Sequence, residues 1–116
     1  AIAIIEGLNI LRFDPQICDI SIYLDAETAD ICQWYVQRFM MFREQARGDK
    51  NAYFQRFLSL SDAEAKVVAL KFWHDINEVN LLENILPYRE QADIILHKDA
   101  EHRVDRIKLR SLHIED

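Results

Sequence analysis

Glycine is scarce in this chain. Only Gly7 and Gly48 occur in 116 residues, where average usage of about 7 % would supply roughly eight. No GxxxxGK[ST] and no GxGxxG segment is present, so any nucleotide chemistry must borrow its phosphate cradle from elsewhere. Positive charge is also in deficit: 14 Lys and Arg stand against 20 Asp and Glu, a formal net charge of −6. An acidic chain grips a phosphodiester backbone or an anionic membrane poorly, so neither nucleic acid nor membrane is an expected partner. No apolar run approaches the roughly 20 residues of a membrane span. Cysteine is limited to Cys18 and Cys32, with no CxxC and no metal-ligand spacing between them. A basic, apolar-cored leader is absent too, and a cytoplasmic location is expected.

What is present describes a folded domain. Half the residues are apolar and 29 % are charged, a globular mixture that argues against disorder. One domain is expected from this length, not two. The chain opens on Ala-Ile-Ala-Ile-Ile, a continuous apolar run that reads as the interior of a buried parallel strand closed by Glu6 and Gly7. It begins as if residues had preceded it. Ile20 to Leu24 reads as a second strand ended by Asp25, after a short connection containing Pro15.

From 29 to 47 the period becomes helical: Ile31, Tyr35, Phe39 and Phe42 recur at steps of four, four and three. Gly48 and Asp49 close that helix. Residues 51–60 are aromatic and read as a short helix or an ordered loop. Ser61-Asp62-Ala63-Glu64 matches a capping box, and Ala65, Val68, Ala69, Phe72, Trp73 and Ile76 follow at helical spacing until Pro87. Residues 93–97 form a third strand. The stretch from 105 to 110 alternates, with Ile107 and Leu109 on one face and Arg106, Lys108 and Arg110 on the other, a pattern suited to a sheet edge. Strands alternating with helices give an α/β class, and three or four strands look like part of a sheet.

Three groups of residues carry chemistry, each with a plainer reading beside it. Tyr35, Arg38, Phe39 and Phe42 share a helix face, where a guanidinium among rings suits a phosphate or carboxylate. The plainer reading is that the rings are core and Arg38 extends its head to water. Asn77, Asn80 and Asn84 form an amide stripe suited to the hydroxyl and amide groups of a polar ligand. The alternative is that they cap a helix end, which fits Asn80 and Asn84 better than Asn77. Glu6 and Asp25 follow apolar strands, the edge where α/β sheets bind ligands and where a carboxylate holds Mg²⁺ beside phosphates. For Asp25 a solvated loop is the simpler reading. His74, His97, His102 and His113 show no zinc-type spacing, and neither cysteine has a histidine partner in sequence.

Several of these segments occur together and in order. Ile4 to Leu11, Ser21 to Ala26, Trp34 to Phe39, Phe42-Arg43-Glu44, Tyr53-Phe54, Trp73 to Leu81 and Asn84 to Pro87 resemble the bacterial type I pantothenate kinases. The resemblance is collinear from Ala1 to Arg110. It implies a P-loop kinase fold, with this chain the C-terminal portion of one domain and its strands part of a parallel sheet. It also implies ATP-dependent phosphorylation of pantothenate, the entry step of coenzyme A synthesis. By the same resemblance Tyr35 and Asn77 line the pantothenate pocket, with Phe39 and Phe54 as apolar wall, and Arg38 approaches the transferring phosphate. Phe42 matches the aromatic of coenzyme A feedback binding, His102 the histidine near adenine, and Glu6 an acid near the metal.

The departures are specific. The family's phosphate loop with its lysine, and its catalytic aspartate, lie upstream of these residues. ATP and Mg²⁺ are therefore expected to bind only with that missing half, and the 116 residues alone are expected to be inactive. The stretch from Arg12 to Asp19 is shorter than the family's, Phe57 stands where a tyrosine can occur, and Tyr88 replaces a threonine. Self-association, or solubility only with the missing half, is expected, since half a parallel sheet exposes apolar edges and faces. Two alternatives stay open: a non-catalytic relic that binds a pantothenate-like ligand or a partner, and a related P-loop kinase acting on another small alcohol.

Overall fold

The structure is a computed structural model and describes residues 1–110; His113 lies outside the described residues. The chain divides into two units, Ala1–Glu27 with the chain from Val79 onward, and Thr28–Glu78.

The first unit is built on a three-stranded sheet of β1 (Ile22–Ala26), β2 (Ile94–Lys98) and β3 (Val104–Leu109), in the order β1-β2-β3. β1 and β2 are parallel, with Tyr23 opposite Ile95 and Asp25 opposite His97. β2 and β3 are antiparallel, with His97 opposite Arg106. The sheet is therefore mixed, where a parallel one was expected. A parallel return needs a crossover of a dozen or more residues, and only residues 99–103 join β2 to β3. Asp99 shapes that hairpin by accepting from the backbone N–H groups of Glu101 and Arg103, each at 2.9 Å, and His102 takes a left-handed φ of 67°. β3 is an edge strand, as its row of basic residues predicts.

One sheet face is covered: Tyr23, Ile95 and Ala92 are buried, with Leu11 and Ile85 packed against them. On the other face register aligns two aliphatic rows, Ile22–Ile94–Leu109 and Leu24–Leu96–Ile107. Their outer members, Ile22, Leu24, Ile107 and Leu109, are exposed.

Residues 1–5 do not form the expected strand. They are coil, exposed throughout, with Ile2 94 % and Ile4 88 % accessible. A strand has little stability without a neighbour to complete its ladder, and among the described residues no strand pairs with this segment. Glu6 consequently stands on exposed coil, not at the end of a strand.

The second unit holds α1 (Thr28–Gln45), continued as a 3₁₀ turn at Ala46–Gly48, and α2 (Asp62–Phe72). The aromatic stretch between them is a 3₁₀ turn at Tyr53–Phe57. Phe39 is its anchor, only 4 % exposed, with ring centroids of Phe57 at 5.0 Å, Phe54 at 5.1 Å and Phe72 at 6.2 Å. The capping box forms as read: Glu64 N–H donates to Ser61 Oγ and Ser61 N–H to Glu64 Oε1, both at 3.1 Å.

After α2 the helical turns widen to π geometry at Trp73–Asn77, return to α at Glu78–Asn80 and widen again at Leu81–Ile85. Pro87 does not end the helical path outright. It falls in the first turn of a 3₁₀ segment, Leu86–Gln91, where its missing N–H costs nothing.

Candidate functional site

The face of α1 read from periodicity divides by depth. Phe39 is sunk in the aromatic core, so the plain reading of that ring holds. Tyr35 is half-buried and packs against Trp73, ring centroids 5.8 Å apart. Burial, then neighbouring Tyr53, raises its phenol above the ordinary value, so it remains a hydrogen-bond donor at neutral pH. Arg38 is exposed and forms no ion pair with any described residue. It is a guanidinium with open donors.

One turn further, Phe42 stands 5.5 Å from Phe54 between ring centroids. Together with Gln45, Ala46, Asp49 and Ala52 these rings line a cleft of about 390 Å³. The structure thus brings together Phe54 and Phe42, read separately as substrate wall and feedback contact.

The amide stripe separates in the same way. Asn84 Nδ2 donates to Asn80 Oδ1 at 2.9 Å, so those two satisfy each other. Asn77 closes the π turn Trp73–Asn77, half-buried, and its amide makes no hydrogen bond among the described residues. π turns within helices concentrate at functional sites because the extra residue re-aims a side chain. The turn is braced by the Trp73 indole, which donates to Glu78 Oε2 at 3.2 Å. Cys32 belongs to the same unit. Burial, then Glu78, pushes its thiol up, which removes the thiolate that nucleophilic catalysis needs.

Glu6 and His102 belong to the other unit. His102 sits exposed on the hairpin, Nδ1 3.2 Å from Lys98 Nζ. Among the described residues no three His, Cys, Asp or Glu gather as a metal-ligand set. Asp25 is not in a solvated loop: it lies on β1, its side chain 16 % exposed, 3.5 Å from Arg89 Nη1.

Two residues of consequence escaped sequence reasoning. Arg43 is a buried cation on α1, 4 % exposed at its side chain. His97 is the other, placed by register between two acidic segments. Its Nδ1 lies 2.6 Å from Asp105 Oδ1, and Glu27 Oε1 stands 3.4 Å from Nε2 without hydrogen-bond geometry. The only cue was a histidine ending the apolar run Ile94-Ile95-Leu96.

The Asp105 hydrogen bond raises His97 above its ordinary 6.5, and the same bond holds Asp105 below its ordinary 3.8. The histidine's contribution to stability is complete below pH 6.5 and fades as pH rises through its raised value. The aspartate's is complete above pH 3.8 and fades as pH falls through its lowered value. Melting temperature is therefore expected to decline on going above pH 6.5. His97→Gln should flatten that decline; an unchanged slope in the variant would show that another group causes it.

The charge pattern of unit one leaves no unpaired cation around the larger cleft, of about 590 Å³, lined by Asp25, Arg89, His97, Arg106 and Lys108. Arg89 meets Asp25 and Glu90, Lys108 meets Glu90, and Arg106 meets Glu27.

Comparison with known proteins adds the decisive observation. A pantothenate kinase of Rhodococcus jostii (strain RHA1) is 46 % identical over 116 aligned positions, covering 96 % of this chain and 37 % of the relative. Along nearly its whole length this chain is similar to pantothenate kinases. The pantothenate kinase of Haemophilus influenzae (strain ATCC 51907 / DSM 11121 / KW20 / Rd) is 47 % identical over 94 % of this chain and 38 % of its own length. That of Mycobacteroides abscessus is 44 % identical over 96 % and 37 %. The chain therefore spans little more than a third of the pantothenate kinases it matches. No family model matches it. No helix among the described residues is long and apolar enough to cross a membrane.

Proposed function

We propose that this chain is the C-terminal portion of a pantothenate kinase of P-loop kinase fold. In this reading it supplies the walls of the substrate pocket and the coenzyme A feedback site. The single observation that carries the reading is the match of nearly the whole chain to pantothenate kinases such as those of Rhodococcus jostii and Haemophilus influenzae.

Phosphoryl transfer asks a protein for positioning and for charge opposite the moving phosphate. Arg38, exposed and unpaired among the described residues, supplies that charge. Tyr35 and Asn77 offer a phenol and an uncommitted amide to the hydroxyl and amide groups of pantothenate, and Phe54 gives apolar wall. Phe39 contributes from beneath, holding Phe54 in place. Phe42, across the cleft, serves coenzyme A as feedback inhibitor.

ATP with Mg²⁺ would provide the phosphoryl donor. The residues present do not fit the metal on their own, since Glu6 stands isolated on exposed coil. His102 on its hairpin remains the proposed contact to adenine. The bare aliphatic face of the sheet supports an association, with further chain of the same protein or with a second copy.

The test is pantothenate-dependent ADP release. The full-length protein that carries this chain is expected to show it, and the purified, mass-verified 116 residues are expected to show none. Release with another small alcohol and not with pantothenate would overturn the substrate assignment.

A further inference from the structure

We propose that Arg43 is a positioning residue for the aromatic wall of the pantothenate site, a role that rests on the reading above. Arg43 is not among the residues that line the Phe42–Phe54 cleft. Its Nε donates to the Phe57 carbonyl at 3.0 Å, its Nη1 to Asp62 Oδ1 at 2.8 Å, and its Nη2 to the Leu60 carbonyl. One planar group thus fixes the end of the Tyr53–Phe57 turn, the residue before the Ser61 cap and the first residue of α2.

The same turn is also tied to the 3₁₀ turn that continues α1, since Gln55 Nε2 donates to the Ala46 carbonyl at 2.8 Å. Phe54 directly precedes Gln55 and stands three residues before Phe57, so both ties act on the turn that carries it. Apolar packing around Phe39 is cohesive but largely non-directional. Hydrogen bonds from a rigid fork to two backbone carbonyls are directional, and they set where Phe54 stands against Phe42.

The cost of this arrangement points the same way. A buried guanidinium gives up its hydration, and its carboxylate partner Asp62 is 79 % exposed, so the pairing is screened. An apolar side chain would serve a core at least as well. The geometry, not the stability, explains an arginine here.

Arg43→Lys keeps the charge but cannot reach three acceptors in one plane. In the full-length protein we expect it to raise the apparent KM for pantothenate about 10-fold, with KM for ATP and kcat within about 2-fold. Amide hydrogen exchange should quicken across residues 53–61 while residues 28–38 of α1 keep their protection. A lowered melting temperature with unchanged KM and uniform exchange would overturn the proposal.

Should the wild-type protein prove inactive on pantothenate, the substrate reading fails, and exchange alone decides whether Arg43 sets the wall. Should Arg43→Lys not fold, Asp62→Ala removes only the outer tie and is expected to move KM and exchange in the same directions, by about 2- to 3-fold. No change in either for that variant would also overturn the proposal.

Discussion

Arg38→Ala, in the full-length protein, is expected to lower kcat by about 10²–10³-fold while the apparent KM for pantothenate moves by less than about 3-fold. Arg38 shares the face of α1 with Tyr35 and Phe42, yet it is exposed and pairs with no carboxylate among the described residues. A structural arginine would have acquired such partners, as Arg43 has done one turn along the same helix. The guanidinium is therefore open to an incoming anion. Charge on the transferring group redistributes most in the transition state, so an opposed cation stabilises that state more than the ground state. Arg38→Lys should recover only part of the loss, because a point charge lacks the fork that meets two phosphate oxygens. A rise in KM equal to the fall in kcat/KM, with kcat intact, would reassign Arg38 to ground-state binding.

Stability measurements on the same variant provide the control. An exposed side chain with no partner contributes little to folding, so Arg38→Ala should melt within a degree or two of the wild type. The contrast with Arg43, whose loss strands two carbonyls, separates chemistry from scaffold on a single helix.

Helix-borne features were legible in the sequence because their causes are local. The 3.6-residue period places Ile31, Tyr35, Phe39 and Phe42 on one stripe, and the capping box at Ser61 and Glu64 forms as four consecutive residues dictate. Strand-borne features depended on partners. Residues 1–5 carry the composition of a buried strand, but whether they become one depends on a neighbour that the described residues do not include. The mixed sheet was hidden for a related reason: alternation along 105–110 defines an edge strand without defining its direction.

The clasp around His97 was invisible because it rests on register. Asp25 and Arg106 meet His97 across two ladders, from positions 72 and 9 residues away in the chain. Arg43 was hidden differently. Its spacing looks like the polar flank of a helix, and nothing local says that the carbonyls of Phe57 and Leu60 fold back onto it. Periodicity placed Phe39 on the shared face of α1, but only the fold shows how deeply its ring is buried.

Asn77→Ala is expected to weaken pantothenate use about 10- to 100-fold in kcat/KM and to leave the apparent affinity for ATP nearly unchanged. Three asparagines stood on one stripe, and the structure tells them apart. Asn80 and Asn84 bind each other, so either change should act on stability. Asn77 has no such partner among the described residues, and it is no helix-end cap, since helical turns continue through Glu78–Asn80 and Leu81–Ile85. A mid-helix asparagine with an idle amide is a poor choice for folding, because the side chain competes for backbone groups. Alanine there should raise the melting temperature slightly while damaging catalysis. That combination, greater stability with lower use of one substrate only, is what a ligand-facing amide produces and a structural one does not. Normal kinetics in Asn77→Ala, whatever its melting temperature, would remove Asn77 from the pocket and leave Tyr35 and Phe54 to define the pantothenate wall.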